Sequence, residues 1–377
     1  MRVALIAHQY PPAVGGVERH VAELAAGFMA RGIGVEVVTC DPTRRLPTHA
    51  VEDGVLVHRF PTVADDAVFF VSPLLGLWLL RNARRFSLLH AHSYHTPLAL
   101  QALVAARVAH RPFVLTPHYH GTGHSFVRRA LHVPYRVVGR AIVRRSRPLI
   151  CVSRAERTLL QRHFGQDLKA VIAPNGVDVD EILHAQPLDT GRRNKVILTA
   201  GRLEHYKRVE RVVEAMQHLP EDHELVVLGT GPAQAGIIER ARQLGLSDRV
   251  HLLGHVPTPI LHGWFRTADV FVTLSRHEAF GITLLEAGVA GAGVVASDIP
   301  AHREVAEYLA LGAVTLVPGD APLEELAVAI GRAGRRDVVL EDVSRVPTWA
   351  DTVEGTLDAY DIATGRSPNR PWTLRTP

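Results

Sequence analysis

Short apolar, β-branched runs alternate with amphipathic stretches along the chain, and the alternation starts twice. "RVALIAH" precedes the helical stretch "GGVERHVAELAAGFMARG", and "VEVVTC", "VLVHRF", "LLHAHS", "PFVLTPH" and "PLICVS" follow. Runs that are apolar at nearly every position suit strands covered on both faces, and strands separated by helices pair in parallel through crossovers. The series restarts with "KVILTAGRL" and continues through "HELVVLGTG", "RVHLLGHV", "DVFVTLS" and "GVVASD", with "RVVEAMQHL" and "GIIERARQLG" among the intervening helical stretches. At 377 residues, each half can bury its own core. The pattern predicts an α/β protein with a first domain over 1–182 and a polar linker, "LHAQPLDTGRRN", over 183–194. A second domain over 195–345 follows, then an amphipathic helix over 346–366 able to cap either domain, the first included. In such sheets ligands sit beyond the carboxyl ends of the strands.

Composition narrows the functional classes. A hydrophobic content of 47% with 21% charged residues is that of a globular protein without low-complexity tracts. The two cysteines, Cys40 and Cys151, stand far apart without metal-site or disulfide spacing, which suits a reducing compartment. "MRVALIAH" is far short of a signal-peptide core, and the apolar stretch at 68–80 contains Pro73 and is too short to span a bilayer. The expectation is a cytoplasmic protein. Residues 1–190 carry 22 Lys and Arg against 14 Asp and Glu, whereas the remainder carries 20 against 24. That asymmetry points the first half toward an anionic partner, with no nucleic acid expected.

Several motifs could carry chemistry. Gly15 and Gly16 lie between the first strand and a helix, where backbone can approach an anion closely, although a plain tight turn reads equally well. Arg202 and Lys207 follow a strand, suitably placed to grip a diphosphate. In "SRHEAFGITLLEA", Glu278 precedes a helix expected to begin near Gly281, while Glu286 lies more than one turn inside it. Two such acids can reach two ends of an elongated ligand, with the amides from Phe280 to Thr283 aimed at an anion between them. A glycosidase pair flanking one bond is the rival reading. "FVLTPHYHGTGH" offers His118, His120 and His124, and "HAHSYH" lies at 90–95, but no spacing specifies a zinc geometry and no metal is expected. "DVD" at 178–180 follows "PNG" and reads as a structural turn, and "LGTGP" at 228–232 as a strand-end turn without the third glycine of a nucleotide loop.

Taken in order over residues 1 to about 365, "GGVERHV", "PHYHG", "CVSRAE", "PNGVD", "AGRLEHYKR" and "EAFGITLLE" resemble family 4 of the retaining glycosyltransferases. The resemblance implies the GT-B fold, two Rossmann-like domains facing each other across a cleft. Glu278 is similar to the first acid of the family's E-x7-E motif, which contacts the donor sugar, and Glu286 to the second, which binds the ribose. By the same resemblance the amides of Phe280, Gly281, Ile282 and Thr283 hold sugar and phosphates, and Arg202 and Lys207 grip the diphosphate. Gly15 and Gly16 form the N-terminal glycine loop, with Gly16 approaching the same phosphates on closure. The histidine beside the sugar matches His118, which directly ends its strand, with His120 as second choice.

The implied activity is metal-independent hexosyl transfer from a UDP- or GDP-sugar, a co-substrate rather than a cofactor, with retention by front-face attack. The acceptor hydroxyl could belong to a lipid-linked glycan, a glycolipid or a natural-product scaffold. The stretch "RRALHVPYRVVGRAIVRRSR" at 128–147 places Arg136, Arg140 and Arg144 at four-residue steps. Such a face suits peripheral contact with an anionic membrane, although a run like this is more often a solvated surface or a site for an acidic soluble molecule; Pro134 and Gly139 are expected to weaken one continuous helix. A sugar-nucleotide epimerase and a catalytically silent binding partner are the competing classes.

Overall fold

The computed structural model describes residues 1–63, 70–121, 126–189, 191, 194–338 and 343–366, with the side chains of 126–134 and 136 also outside the description. The chain forms two compact units, 1–176 joined by the helix Trp349–Thr364, and 177–348.

In the first unit eight strands run β1 (Arg2–Ile6), β2 (Gly34–Cys40), β3 (His49–Glu52), β4 (Val55–Phe60), β5 (Leu88–His92), β6 (Phe113–Thr116), β7 (Leu149–Cys151) and β8 (Ala170–Ile172). Their order across the sheet is β3-β4-β2-β1-β5-β6-β7-β8, parallel except for the antiparallel edge pair β3–β4. The alternation of β1 sends Val3 and Leu5 into the core beneath the helix Gly16–Ala30, and Ala4 and Ile6 into the core on the opposite face. Both cores are closed, so the strands read as unbroken apolar runs.

The helix Trp349–Thr364 completes one of those cores. Val353, Ala359 and Tyr360 are buried beside Phe28, whose ring centroid lies 5.5 Å from that of Tyr360. Thr352 Oγ1 donates to the Pro174 carbonyl at 2.7 Å, and Arg31 pairs with Glu354 at 2.7 Å. Each fully buried side chain of this size contributes about 1.5–3 kcal/mol.

The second unit carries β9 (Lys195–Ala200), β10 (His223–Leu228), β11 (Val250–Gly254), β12 (Val270–Thr273), β13 (Gly293–Ser297) and β14 (Val314–Val317). All pair in parallel in the order β11-β10-β9-β12-β13-β14. The order reverses between β9 and β12, so the loops leaving these neighbours diverge and open a crevice at their carboxyl ends. The segment 183–194 groups with this unit: the Leu188 amide donates to Thr267 Oγ1 at 2.7 Å, and residues 190, 192 and 193 lie outside the description.

One local expectation is corrected. Residues 126–145 form one helix, Phe126–Arg145, despite Pro134 and Gly139. Gly139 has a packing reason: a Cβ there would fall 2.1 Å from the buried Tyr94 hydroxyl oxygen, so the missing side chain admits the tyrosine. Among the described residues no helix is long and apolar enough to cross a membrane.

Candidate functional site

The two loops at the switch point of the second sheet are stitched together by backbone. The Arg276 amide donates to the Tyr206 carbonyl at 2.9 Å, and Arg208 Nε donates to the Leu274 carbonyl at 2.6 Å. Tyr206 stacks on His277 at 4.5 Å with 16° between the planes. These contacts bring Lys207 Nζ into a direct ion pair with Glu278 Oε1. The side chains are only 21% and 16% exposed. Burial alone lowers the pKa of an ammonium and raises that of a carboxyl, yet the mutual attraction prevails. Glu278 holds Lys207 above its ordinary value, and Lys207, followed by His302, holds Glu278 below the ordinary carboxylate range. Both groups are therefore charged at neutral pH.

Beside this pair starts the helix Ile282–Val289. Gly281 supplies its N-cap at φ 120°, a conformation that side-chain-bearing residues rarely adopt. Its carbonyl accepts from the Leu284 and Leu285 amides at 3.1 and 3.2 Å, whereas the amides of Gly281, Ile282 and Thr283 have no acceptor among the described residues. Unfilled first-turn amides with the positive end of the helix dipole form an anion seat. Phe280 is buried and packs toward Tyr308, fixing the turn. His302, also buried, adjoins Gly281 and donates from Nδ1 to the Ser297 carbonyl at 2.8 Å, leaving its Nε2 as the acceptor nitrogen.

Not all expected residues join this cluster. Arg202 lies on the loop after β9 with its side chain 53% exposed, 3.7 Å from Glu204. Glu286 is completely buried and lies 3.8 Å from His262 Nε2. His262 lies on the helix Thr258–Thr267 with its Nδ1 3.9 Å from Glu181, and it carries no signal in sequence beyond being one histidine among 22.

The loop holding Arg202 depends on glycine. "LGTGP" is a strand-end turn in which the Gly201 amide donates to the Leu228 carbonyl at 3.0 Å and the Leu203 amide to the Thr230 carbonyl at 2.9 Å. A Cβ on Gly229 would fall 2.0 Å from the Gly201 carbonyl oxygen.

In the first unit, Gly15 precedes the helix Gly16–Ala30, and a Cβ at Gly15 would fall 2.2 Å from Glu18 Oε2. The glycine pair thus makes room for a carboxylate of its own helix, which also lies 3.3 Å from His8 Nε2. His118 sits beyond β6 in the left-handed region at φ 48°, nearly buried, and His120 stacks on His95 at 4.7 Å. His124 lies outside the described residues. "CVSRAE" explains how this loop is held: Ser153 Oγ caps the Glu156 amide at 2.8 Å, and the Glu156 carboxyl accepts from the Tyr119 and Val152 amides at 2.5 and 2.7 Å. Glu156→Gln turns an amide donor toward one of these amides and should cost about 2–3 kcal/mol, read as a lowered urea midpoint at unchanged m-value.

"PNGVD" has a similar positioning role, because Asn175 Oδ1 accepts from His20 Nδ1 at 2.7 Å. On the helix Phe126–Arg145, Arg140 and Arg144 line an open surface depression with Val137, Ala141, Arg145 and Arg147. Arg144 is tied to Asp167 at 2.6 Å, and the Arg136 side chain lies outside the description.

Known proteins resemble this chain over most of its length. Residues 14–181 match the family model for Glycosyltransferase Family 4, and residues 181–321 the model for glycosyl transferases group 1. The chain is 31% identical to phosphatidyl-myo-inositol mannosyltransferase of Mycobacterium tuberculosis, over 88% of this chain and 86% of that protein. It is 29% identical to D-inositol 3-phosphate glycosyltransferase of Xylanimonas cellulosilytica, over 94% of each. Among solved structures, HepE of Anabaena in complex with UDP-glucose aligns with a TM-score of 0.68 at 19% identity, over 97% of this chain and 98% of that one. The chain belongs to family 4 of the glycosyltransferases, and its fold is of the GT-B class.

Proposed function

We propose that the protein transfers a hexose-type sugar from a nucleotide-diphosphate sugar to an acceptor hydroxyl with retention of anomeric configuration, without a metal ion on the diphosphate. The observation that carries this reading is the Lys207–Glu278 pair beside the open amides of Gly281, Ile282 and Thr283. Cleavage of the bond from the anomeric carbon to phosphate leaves positive charge on the sugar and added negative charge on the diphosphate. Lys207, Arg202 and the helix amides stabilise the second, and preorganised donors of this kind gain strength where charge develops. Glu278 receives the sugar hydroxyls while holding Lys207 in place, and Glu286 serves the ribose from its buried position beside His262. His118 supports the sugar, with His120 as the alternative, and Gly15 and Gly16 offer the N-terminal loop to the phosphates. Attack comes from the face the leaving group departs, the phosphate oxygen helping to take the acceptor's proton.

A UDP-sugar or a GDP-sugar fits equally. The UDP-glucose complex of HepE supports the first, and the mannosyltransferase relative directs attention to acceptors carrying lipid. The arginine-lined surface depression suits an acidic or lipid-linked acceptor, either held from solution or presented at an anionic membrane surface to which this helix binds peripherally.

The test is a panel of UDP- and GDP-sugars incubated with the purified chain. Release of free nucleotide from one of them is expected, at a rate changed by less than about twofold on adding Mg²⁺ or Mn²⁺, because amides and Lys207 neutralise the diphosphate. Appearance of a new sugar nucleotide would instead establish epimerisation, and silence across the panel a binding partner.

A further inference from the structure

Three histidines from separate motifs converge at the carboxyl ends of β1, β5 and β6. His20 lies on the helix after β1, His92 ends β5, and His118 follows β6. Their exposures are 0%, 0% and 9%. One ring nitrogen from each lies within 4.8 Å of the others. His20 Nε2, both nitrogens of His92 and His118 Nε2 are buried without a hydrogen-bond partner among the described residues. A buried polar atom left unpaired is unfavourable, so the group calls for an occupant that satisfies several nitrogens at once.

We propose that His20, His92 and His118 bind one divalent transition-metal ion of the zinc class. Ring-centroid separations are 4.9 Å for His20–His118, 5.4 Å for His20–His92 and 5.8 Å for His92–His118. Three imidazoles on one tetrahedral ion with metal–nitrogen bonds of about 2.0–2.1 Å place their centroids about 5 Å apart, so modest ring movements close the site. His20 is already set as a ligand: Nδ1 donates to Asn175 Oδ1, which leaves the Nε2 lone pair facing the group. Neighbouring His90 shows the contrast, since its two nitrogens are taken by the Tyr360 hydroxyl at 2.7 Å and Thr116 Oγ1 at 2.8 Å, although its ring lies 4.1 Å from that of His92. Burial, the largest influence on all three rings, favours neutral imidazole, the ligating form; for His20 it lowers the pKa to about 4. An all-imidazole donor set suits zinc or cobalt over magnesium or calcium and leaves one coordination position open.

The site goes beyond the transfer reading and is chemically separate from the diphosphate grip, which uses amides and Lys207. The two meet at His118: coordination through Nε2 keeps the remaining proton on Nδ1, fixing which nitrogen can donate.

The test uses the full chain, dialysed against a chelator and titrated with Co²⁺ or Zn²⁺ alone. About one equivalent of Co²⁺ should bind and develop the visible absorption of a tetrahedral nitrogen site, and Zn²⁺ should displace it. His92→Gln and His20→Gln should weaken uptake at least 10–100-fold and Asn175→Ala within that range, about the cost of a lost outer partner, while the surface control His184→Gln leaves uptake unchanged. Absence of stoichiometric uptake by the unsubstituted chain would overturn the proposal, as would unchanged uptake by His92→Gln. The unsubstituted titration decides alone if a substituted chain does not fold. Nucleotide release measured on the same metal-stripped sample separates this outcome from failure of the transferase reading.

Discussion

Replacing Lys207 with methionine is expected to lower kcat/KM for sugar-nucleotide turnover on the order of 10²–10³-fold, the effect of removing one preorganised donor at a site of developing charge, about 2.7–4 kcal/mol. Two losses combine in it. The proposed diphosphate seat would lose its buried cation, and Glu278 would keep a carboxylate that is 16% exposed without the ammonium that holds its pKa down. Glu278→Gln should also reduce turnover, and the double substitution should cost less than the sum of the two, because each single change already breaks the pair. The pH dependence follows from the directions of the shifts. Glu278 has a lowered folded-state pKa, so its contribution to stability is present above the unfolded value and is lost as pH falls through the folded one. Lys207 has a raised pKa, so its contribution is complete below the unfolded value and is lost only as strongly alkaline pH passes the folded one. Stability from the pair should therefore be level across neutral pH and decline on the acid side, a decline that Lys207→Met should flatten in urea titrations at stepped pH. An unaltered kcat/KM in Lys207→Met would remove the cation from the mechanism.

Gly229→Ala should be the most damaging conservative change in the second unit. The backbone there holds φ 117°, and the added Cβ would meet the Gly201 carbonyl oxygen at 2.0 Å, a backbone atom with no rotamer to yield. Strain at a glycine-only conformation and forced overpacking each cost about 1–3 kcal/mol, so a loss near 3 kcal/mol is expected. For a unit of this size that lowers the melting temperature by about 6–12 °C. Activity should fall further than stability explains, because the Gly201 carbonyl that the new Cβ displaces belongs to the loop carrying Arg202. A melting temperature within about 1 °C of the parent would show that the turn yields freely.

Much of this was legible in sequence because strand periodicity and loop chemistry agree there. Eleven of the fourteen strands announce themselves as apolar runs, and Glu278, Lys207 and Gly281 fall where a strand's carboxyl end meets a helix. β3, β8 and β14 did not, being three or four residues long and half-exposed in part, too short for a period to show. Gly139 reads as a helix breaker until Tyr94 is seen filling its place. The burial of Glu286 against His262 and the convergence of His20, His92 and His118 are likewise invisible along the chain. They depend on which strands become neighbours, and β1, β5 and β6 are adjacent in the sheet while their histidines are separated by 72 and 26 positions.

Hydrogen–deuterium exchange of the full chain, with and without a saturating nucleotide diphosphate, probes the donor seat at the level of single peptides. Slowed exchange is expected over 201–207 and 280–285, where the loop after β9 and the first turn of the helix Ile282–Val289 supply the proposed contacts. Unchanged exchange in both segments while the nucleotide is bound would place the diphosphate elsewhere and contradict the account.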